Sequence, residues 1–356
     1  MRLLVLGGTV FLGRAVARRA LAAGHDVTCA ARGSSGDPVE GARFVRVDRD
    51  DPDGLAGLTG DFDAVVDVAR HPARVRHAIR SLAGRVGHVT FVSSGSAYAD
   101  TSTPHQRVDT APLLGPAPPD AEDPWQSAEA YGACKVSCER LLVDAFGADN
   151  VFLCRAGLIV GPEDPIGRFE YWLRRAARGG EVLVPGTPDD LVQLVDVRDL
   201  ADWIVDAAQR RLAGAFDGTG EPMRRADFLA GLLGAGLSDA GLLGAGLSDA
   251  GLPGAGLPDA GLPGEAATLS YVPQEFLLAH GVAPWSGPRS LPIWLPVPEY
   301  AGFMSRDVAP SLAAGLRPRP LAETARDTAG WLAAGGAGAR IGLTEAEETD
   351  LLNAWR

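Results

Sequence analysis

The chain opens on Leu3–Leu6, an unbroken apolar run too short for a helix, and comparable runs recur at Asp26–Ala31, Phe44–Val47, Ala64–Val68 and His88–Val92. Short apolar runs without strict alternation predict strands covered on both faces, as in a parallel sheet. Stretches of helical period separate them, the first over Arg14–Ala23. Strand and helix taking turns predict an α/β chain with a doubly wound parallel sheet. Further on, Val195–Ala201 reads as a strand running into a helix, and Leu321–Leu332 and Thr344–Trp355 have helical spacing. Thr344 followed three residues later by Glu347 predicts a capping box at the start of the last helix.

This pattern divides the chain into a first domain over 1–160, with 191–212 returning to it, and a smaller discontinuous domain over 161–190 and 213–356. Between Tyr98 and Trp125 lies a proline-rich loop carrying Pro112, Pro116, Pro118 and Pro119, expected to be irregular. Gly231–Gly264 repeats a decapeptide, G-L-L-G-A-G-L-S-D-A twice and then G-L-P-G-A-G-L-P-D-A. The period matches no familiar helical repeat. Its glycines and prolines make a long regular element costly, so a flexible or partly helical insertion is expected.

Hydrophobic residues make up 46% of the 356, enough for a sizeable core, and the net charge is −12. With no Lys/Arg-rich run, that balance argues against a nucleic-acid partner. No apolar run is long enough to span a membrane, and the strand starting just after Met1-Arg2 leaves no room for a signal peptide, so a cytoplasmic location is expected. Cys29, Cys134, Cys138 and Cys154 fall in strand or helix patterns and read as reduced core thiols. No histidine stands near Cys134 and Cys138 to complete a metal site.

Candidate chemistry begins at the first turn. Strand Leu3–Leu6 leads into Gly7-Gly8-Thr9-Val10-Phe11-Leu12-Gly13 and then a helix, the opening of a dinucleotide site. Gly7 permits the tight turn, Gly8 leaves room for the backbone, and Gly13 lets the helix press close, with its N-terminus facing a pyrophosphate. Gly7, Gly8, Thr9, Phe11, Leu12 and Gly13 are the expected contacts. Val10 departs from the motif by standing where its middle glycine would be. The second strand ends in Ala31-Arg32, followed by Ser34 and Ser35. A guanidinium and hydroxyls where an acidic residue would hold the ribose 2′-hydroxyl favour NADP over NAD, with stacking of Arg32 on adenine as the alternative. Asp48 is a candidate for the adenine edge or a turn residue, and Ala69 lies in the expected cofactor cleft with His71 read as structural.

The fifth strand ends in Ser93-Ser94-Gly95-Ser96-Ala97-Tyr98, and Ser94, with Ser96 second, is the candidate to hold a substrate oxygen. Lys135 is the only lysine in the chain and stands four residues after Tyr131. That spacing places both on one helix face. A free phenol titrates near ~10 and is a poor base at neutral pH, but a close ammonium favours its phenolate. A guanidinium fork cannot take the same compact position.

Together, G-G-T-x-F-x-G, S-S-x-S-x-Y and Y-G-x-x-K resemble the short-chain dehydrogenase/reductase superfamily in its extended or atypical branch, which includes NAD-dependent epimerases and dehydratases. The resemblance implies a Rossmann-type fold and a triad in which Tyr131 is the acid/base, Lys135 binds the nicotinamide ribose and favours the phenolate, and Ser94 orients the reacting oxygen. It also implies that Arg155–Pro162 leads from the sheet into a substrate domain where Arg168, Tyr171 and Trp172 are candidates to face the substrate, the two aromatics alternatively packing beneath a loop, with Gln193 a candidate for the same pocket. Pairing through the Tyr131 helix, giving a homodimer, is a further implication. The expected function is an NADP- or NAD-dependent oxidoreductase acting on a carbonyl or alcohol of a small polar molecule. The alternatives are a sugar-nucleotide epimerase or dehydratase with retained NAD, and a non-catalytic dinucleotide-sensing or RNA-binding member.

Overall fold

The structure, a computed structural model, describes residues 1–234 and 267–356; most of the decapeptide repeat therefore lies outside the described residues. The chain forms two compact units. The first comprises Met1–Ile159, Gln193–Glu221 and Ser305–Pro318, and the second Val160–Val192, Pro222–Met304 and Arg319–Arg356.

The first unit is built on β1 (Arg2–Leu6), β2 (Asp26–Ala31), β3 (Arg43–Arg46), β4 (Ala64–Asp67), β5 (Val89–Ser94), β6 (Val151–Ala156) and an edge strand at Gly214–Gly218. All seven pair in parallel, running from the edge strand through β6, β5, β4, β1 and β2 to β3. Side chains of a strand point alternately to its two faces, so the unbroken apolar run of β1 feeds two cores. Leu3 and Val5 join Leu12 and Val16 of helix α1 (Phe11–Ala22), whereas Leu4 and Leu6 join Val75 of α2 (Pro72–Leu82) and Leu142 of α3 (Ala128–Phe146). The chain leaves β1 towards β2 on one side and returns beside it as β4 on the other. That switch opens a crevice at the carboxyl ends of the strands, where doubly wound folds bind their ligands.

Two expectations about the division are corrected. The edge strand Gly214–Gly218 pairs with β6, and Ser305–Pro318 also belongs to the first unit. With glycine at both ends, the edge strand carries little apolar signal. Ser305–Pro318 is tied in by long-range bonds, Gln193 donating to Arg306 O and His105 N to Ser305 O.

In the second unit, α4 (Arg168–Arg178) turns Phe169, Trp172 and Leu173 inward. Trp172 is buried and its Nε1 donates to Pro292 O at 2.7 Å, with Tyr171 edge-on to it. Trp172 packs the unit's interior, and Tyr171, partly buried, packs against it. Arg168 lies over the Trp285 ring, 4.5 Å from its centre. At the far end of the chain the capping box forms as expected: Glu347 N donates to Thr344 Oγ1, and Thr344 N to the Glu347 carboxylate.

Candidate active site

The glycine turn after β1 is closed by its own tightness. Gly7 has φ +97°, which an L side chain rarely adopts. A Cβ on Gly8 would meet Cys29 Sγ of β2 at 2.7 Å, so the turn lies directly against the neighbouring strand. On Gly13 it would stand 2.2 Å from Gly7 O, so α1 packs against the turn's own backbone. Val10, in the place of the motif's middle glycine, is extended and precedes α1 without a side-chain cap. Leu12 is buried in the core beside α1, and the partly buried Phe11 packs against that core.

In front of this turn is a cleft of about 420 Å³ whose wall includes Gly7, Thr9, Arg32, Ser34, Ser35, Asp48 and Ala69. Arg70 borders it too, and the pattern of short motifs missed Arg49, Arg74 and Trp125, which also line it. Arg49 forms a two-pronged pair with Asp67 at the end of β4, both bonds 2.6 Å, and Asp67 also accepts from Ala69 N. Arg32 lies 3.8 Å from Asp50, whose carboxyl is held below the ordinary carboxylate range chiefly by its hydrogen bond from Arg74. A glycine cradle at the β1 end facing a cleft bordered by the ends of β2 and β4 fits a nicotinamide adenine dinucleotide.

The second half of the site stands on β5 and α3. Ser127 caps α3 by accepting from Ala130 N, and Tyr131 lies in the first turn. Lys135, 2% exposed, donates to Ala69 O at 2.7 Å and to Val92 O at 2.6 Å, so the ammonium is fixed at the carboxyl ends of β4 and β5. It sits 5.8 Å from the centre of the Tyr131 ring and 4.8 Å from that of Phe91. Two of its three N–H donors are thereby committed. Ser94 ends β5 and accepts from Ser96 N in the following short turn. Gly132 brings α3 against that turn: a Cβ there would lie 2.0 Å from Ser96 O. The fold therefore gathers Ser94, Ser96, Tyr131 and Lys135 at one end of β5.

Behind them runs a buried polar network within the first unit. Ser93 donates to Glu139, which also receives Arg155 through Nε and Nη2. The Tyr98 phenol donates to Asp217 at 2.7 Å, and the guanidiniums of Arg306 and Arg155 lie over its ring, 3.7 and 5.2 Å from its centre. Burial pushes the Tyr98 phenol and the Asp217 carboxyl up. Gln193 belongs to this scaffold. It is buried, donates to Gly220 O and Arg306 O, and accepts from Arg306 N, so its amide is committed to the backbone rather than to a pocket. Those partners lie far along the chain, where sequence spacing gives no signal. All four cysteines are free and buried, and among the described residues no group of three metal-ligating side chains occurs.

The family model for the NAD dependent epimerase/dehydratase family matches residues 3–216. The chain belongs to that family. This epimerase/dehydratase-family chain is 31% identical over 195 residues to 2′-dehydrokanamycin reductase of Streptomyces kanamyceticus, a match covering 52% of the chain and 51% of the reductase, so it spans about half of that relative's length. In fold it resembles the NAD complex of UDP-glucose 4-epimerase from Thermus thermophilus, at 19% identity and TM-score 0.59, over 95% of this chain and 100% of that one. It also resembles WbmH of Bordetella bronchiseptica with NAD+, at 16% identity and TM-score 0.60, over 94% and 99%.

Proposed function

We propose that this protein is a nicotinamide-dependent reductase that interconverts a ketone and a secondary alcohol on a small polar molecule, with an amino-sugar ketone as the substrate class. The observation that carries the reading is the Lys135 ammonium, buried at the ends of β4 and β5 and 5.8 Å from the Tyr131 ring. When bound, the dinucleotide supplies or takes up a hydride at its nicotinamide C4. Tyr131 gives its phenolic proton to the carbonyl oxygen in reduction and recovers it from the alcohol in oxidation. Lys135 stabilises the charge left on the phenol oxygen and has a third N–H for a ribose hydroxyl. Ser94 hydrogen-bonds the reacting oxygen and holds it towards Tyr131. The amino-sugar class rests on the likeness to 2′-dehydrokanamycin reductase, over about half of that protein.

NADP is the proposed cofactor, because Arg32, Ser34 and Ser35 stand on the cleft wall after β2 and Ala31 leaves no carboxylate there. The NAD-bound relatives weigh towards NAD. Initial rates with NADPH and NADH against a panel of keto and amino-keto sugars test both halves of the reading. NADPH consumption that Arg32→Ala weakens about ten- to a hundredfold in KM, with NADH little changed, is expected for a lost charge-assisted contact. Consumption of neither cofactor with any ketone counts against a reductase. A second reading, epimerisation with retained NAD, draws on the full-length likeness to UDP-glucose 4-epimerase. NAD that co-purifies with the protein and turns over with no net change favours it.

A further inference from the structure

Trp125 lies in the loop that precedes α3 and is 64% exposed, an uncommon position for an indole unless something covers it. It is nevertheless held in place. The Arg70 guanidinium stands over its ring, 5.0 Å from the centre, and His71 meets it edge-on at 6.4 Å. Arg70 and His71 come from the end of β4 and the start of α2, so the contact fixes the loop to the rim of the dinucleotide cleft, which Trp125 itself borders. A cation over an aromatic face is attracted to the ring's negative quadrupole and anchors it. A rotamer-rich loop would otherwise lose entropy in presenting a ring this way.

The cleft that Trp125 borders is bounded by the ends of β1, β2, β3 and β4, including Ala31 and Asp48, and by none of Ser94, Tyr131 or Lys135. In a doubly wound sheet that side receives the adenosine half of the cofactor. We infer that Trp125, braced by Arg70 and His71, stacks on the adenine ring of the bound dinucleotide and closes the adenosine half of the cleft. This rests on the proposed dinucleotide binding but assigns a ligand contact outside the glycine turn. Stacking needs only a π-face on the ligand, so it serves NAD and NADP equally and adds affinity without choosing between them. Its place six residues before Tyr131 puts the adenine contact and the acid/base on one continuous stretch of chain.

The test uses the full chain with ADP-ribose and with nicotinamide mononucleotide as separate probes, followed by calorimetry and by tryptophan fluorescence. Trp125→Ala is expected to weaken ADP-ribose binding about ten- to a hundredfold, the effect of one base–aromatic stack, and to leave nicotinamide mononucleotide unchanged. Trp125→Phe keeps most of the affinity but abolishes the quenching of indole emission that ADP-ribose produces in the wild type. Unaltered ADP-ribose affinity in Trp125→Ala, or full quenching in Trp125→Phe, overturns the stacking role. Wild-type protein that binds neither ADP-ribose nor a dinucleotide overturns this inference together with the cofactor reading, which separates the two failures.

Discussion

The Ser93 hydroxyl donates to the Glu139 carboxylate across 2.5 Å, joining the end of β5 to the helix that carries Tyr131 and Lys135. Glu139 follows Lys135 by four residues, so the two occupy neighbouring positions on one helix face. The same carboxylate pairs with Arg155 of β6 at 2.8 Å. One buried side chain thus sets β5, α3 and β6 in mutual register, and the neighbouring Ser94 takes its position relative to Lys135 from that bond.

Glu139→Ala leaves the Arg155 guanidinium buried without its carboxylate and is expected to cost about 3–5 kcal/mol. Glu139→Gln keeps an acceptor for Ser93 and should cost less. Urea unfolding followed by circular dichroism measures both, and a loss below about 1 kcal/mol in Glu139→Ala contradicts the role assigned to the pair.

Lys135→Arg keeps the charge but not the shape. The amine sits between Ala69 O and Val92 O, both within 2.7 Å, at 2% exposure. A planar fork cannot share that position without moving the ends of β4 and β5. Turnover should fall by at least ~100-fold, the scale of a lost acid/base partner, while the variant stays folded. Steady-state rates beside thermal melts distinguish this from simple instability; near-normal turnover would detach Lys135 from the chemistry.

At Gly132 the constraint is steric. A Cβ there would lie 2.0 Å from Ser96 O and 2.6 Å from Leu114 Cδ1, so α3 has to move away from the Ser94–Ser96 turn. Gly132→Ala is expected to lose about 1–3 kcal/mol, with a larger proportional fall in kcat than in KM. Gly57→Ala, where nothing lies within 4 Å of the added carbon, serves as the control and should stay within about 0.5 kcal/mol. Equal behaviour of the two variants would refute the close approach.

Acid should weaken the fold through His88. Its Nε2 bonds Leu212 O at 2.8 Å, and burial holds the imidazole below its ordinary value of 6.5, with Arg211 adding to the effect. The unfolded chain takes up a proton near pH ~6.5 that the folded chain refuses, so this contribution is complete above that pH and is lost as pH falls below it. The slope approaches roughly 1.4 kcal/mol per pH unit for one proton. His88→Gln should flatten the decline of melting temperature between pH 7 and 5; an unchanged decline assigns it to other groups.

Much of the frame is legible in the chain because its signals are local. Asp26–Ala31 forms the strand its apolar run predicts, the glycine turn follows β1, and Tyr131 and Lys135 share α3. The start of α1 at Phe11 is not legible, because Val10 offers no capping side chain. In sequence Tyr171 and Trp172 read equally as recognition or packing residues, and Gln193 as a candidate for the substrate pocket. Trp172 and Gln193 are instead bonded to Pro292, Gly220 and Arg306, partners beyond the reach of any local pattern. Trp125 gives no signal either, since only the folded chain brings Arg70 to it.

The Tyr98 phenol and the Arg306 guanidinium both converge on Asp217 from places more than 200 residues apart, and Asp217 lies just past the stretch matched by the family model. A gene trimmed to that stretch would omit the aspartate and its arginine alike, leaving the buried Tyr98 phenol without its acceptor while Arg155 keeps Glu139. A version ending at Pro318 would keep that pair but strip Arg319–Arg356 from the second unit, and with them Glu348, the buried partner of Arg175, so versions shortened to either point should collect in the insoluble fraction.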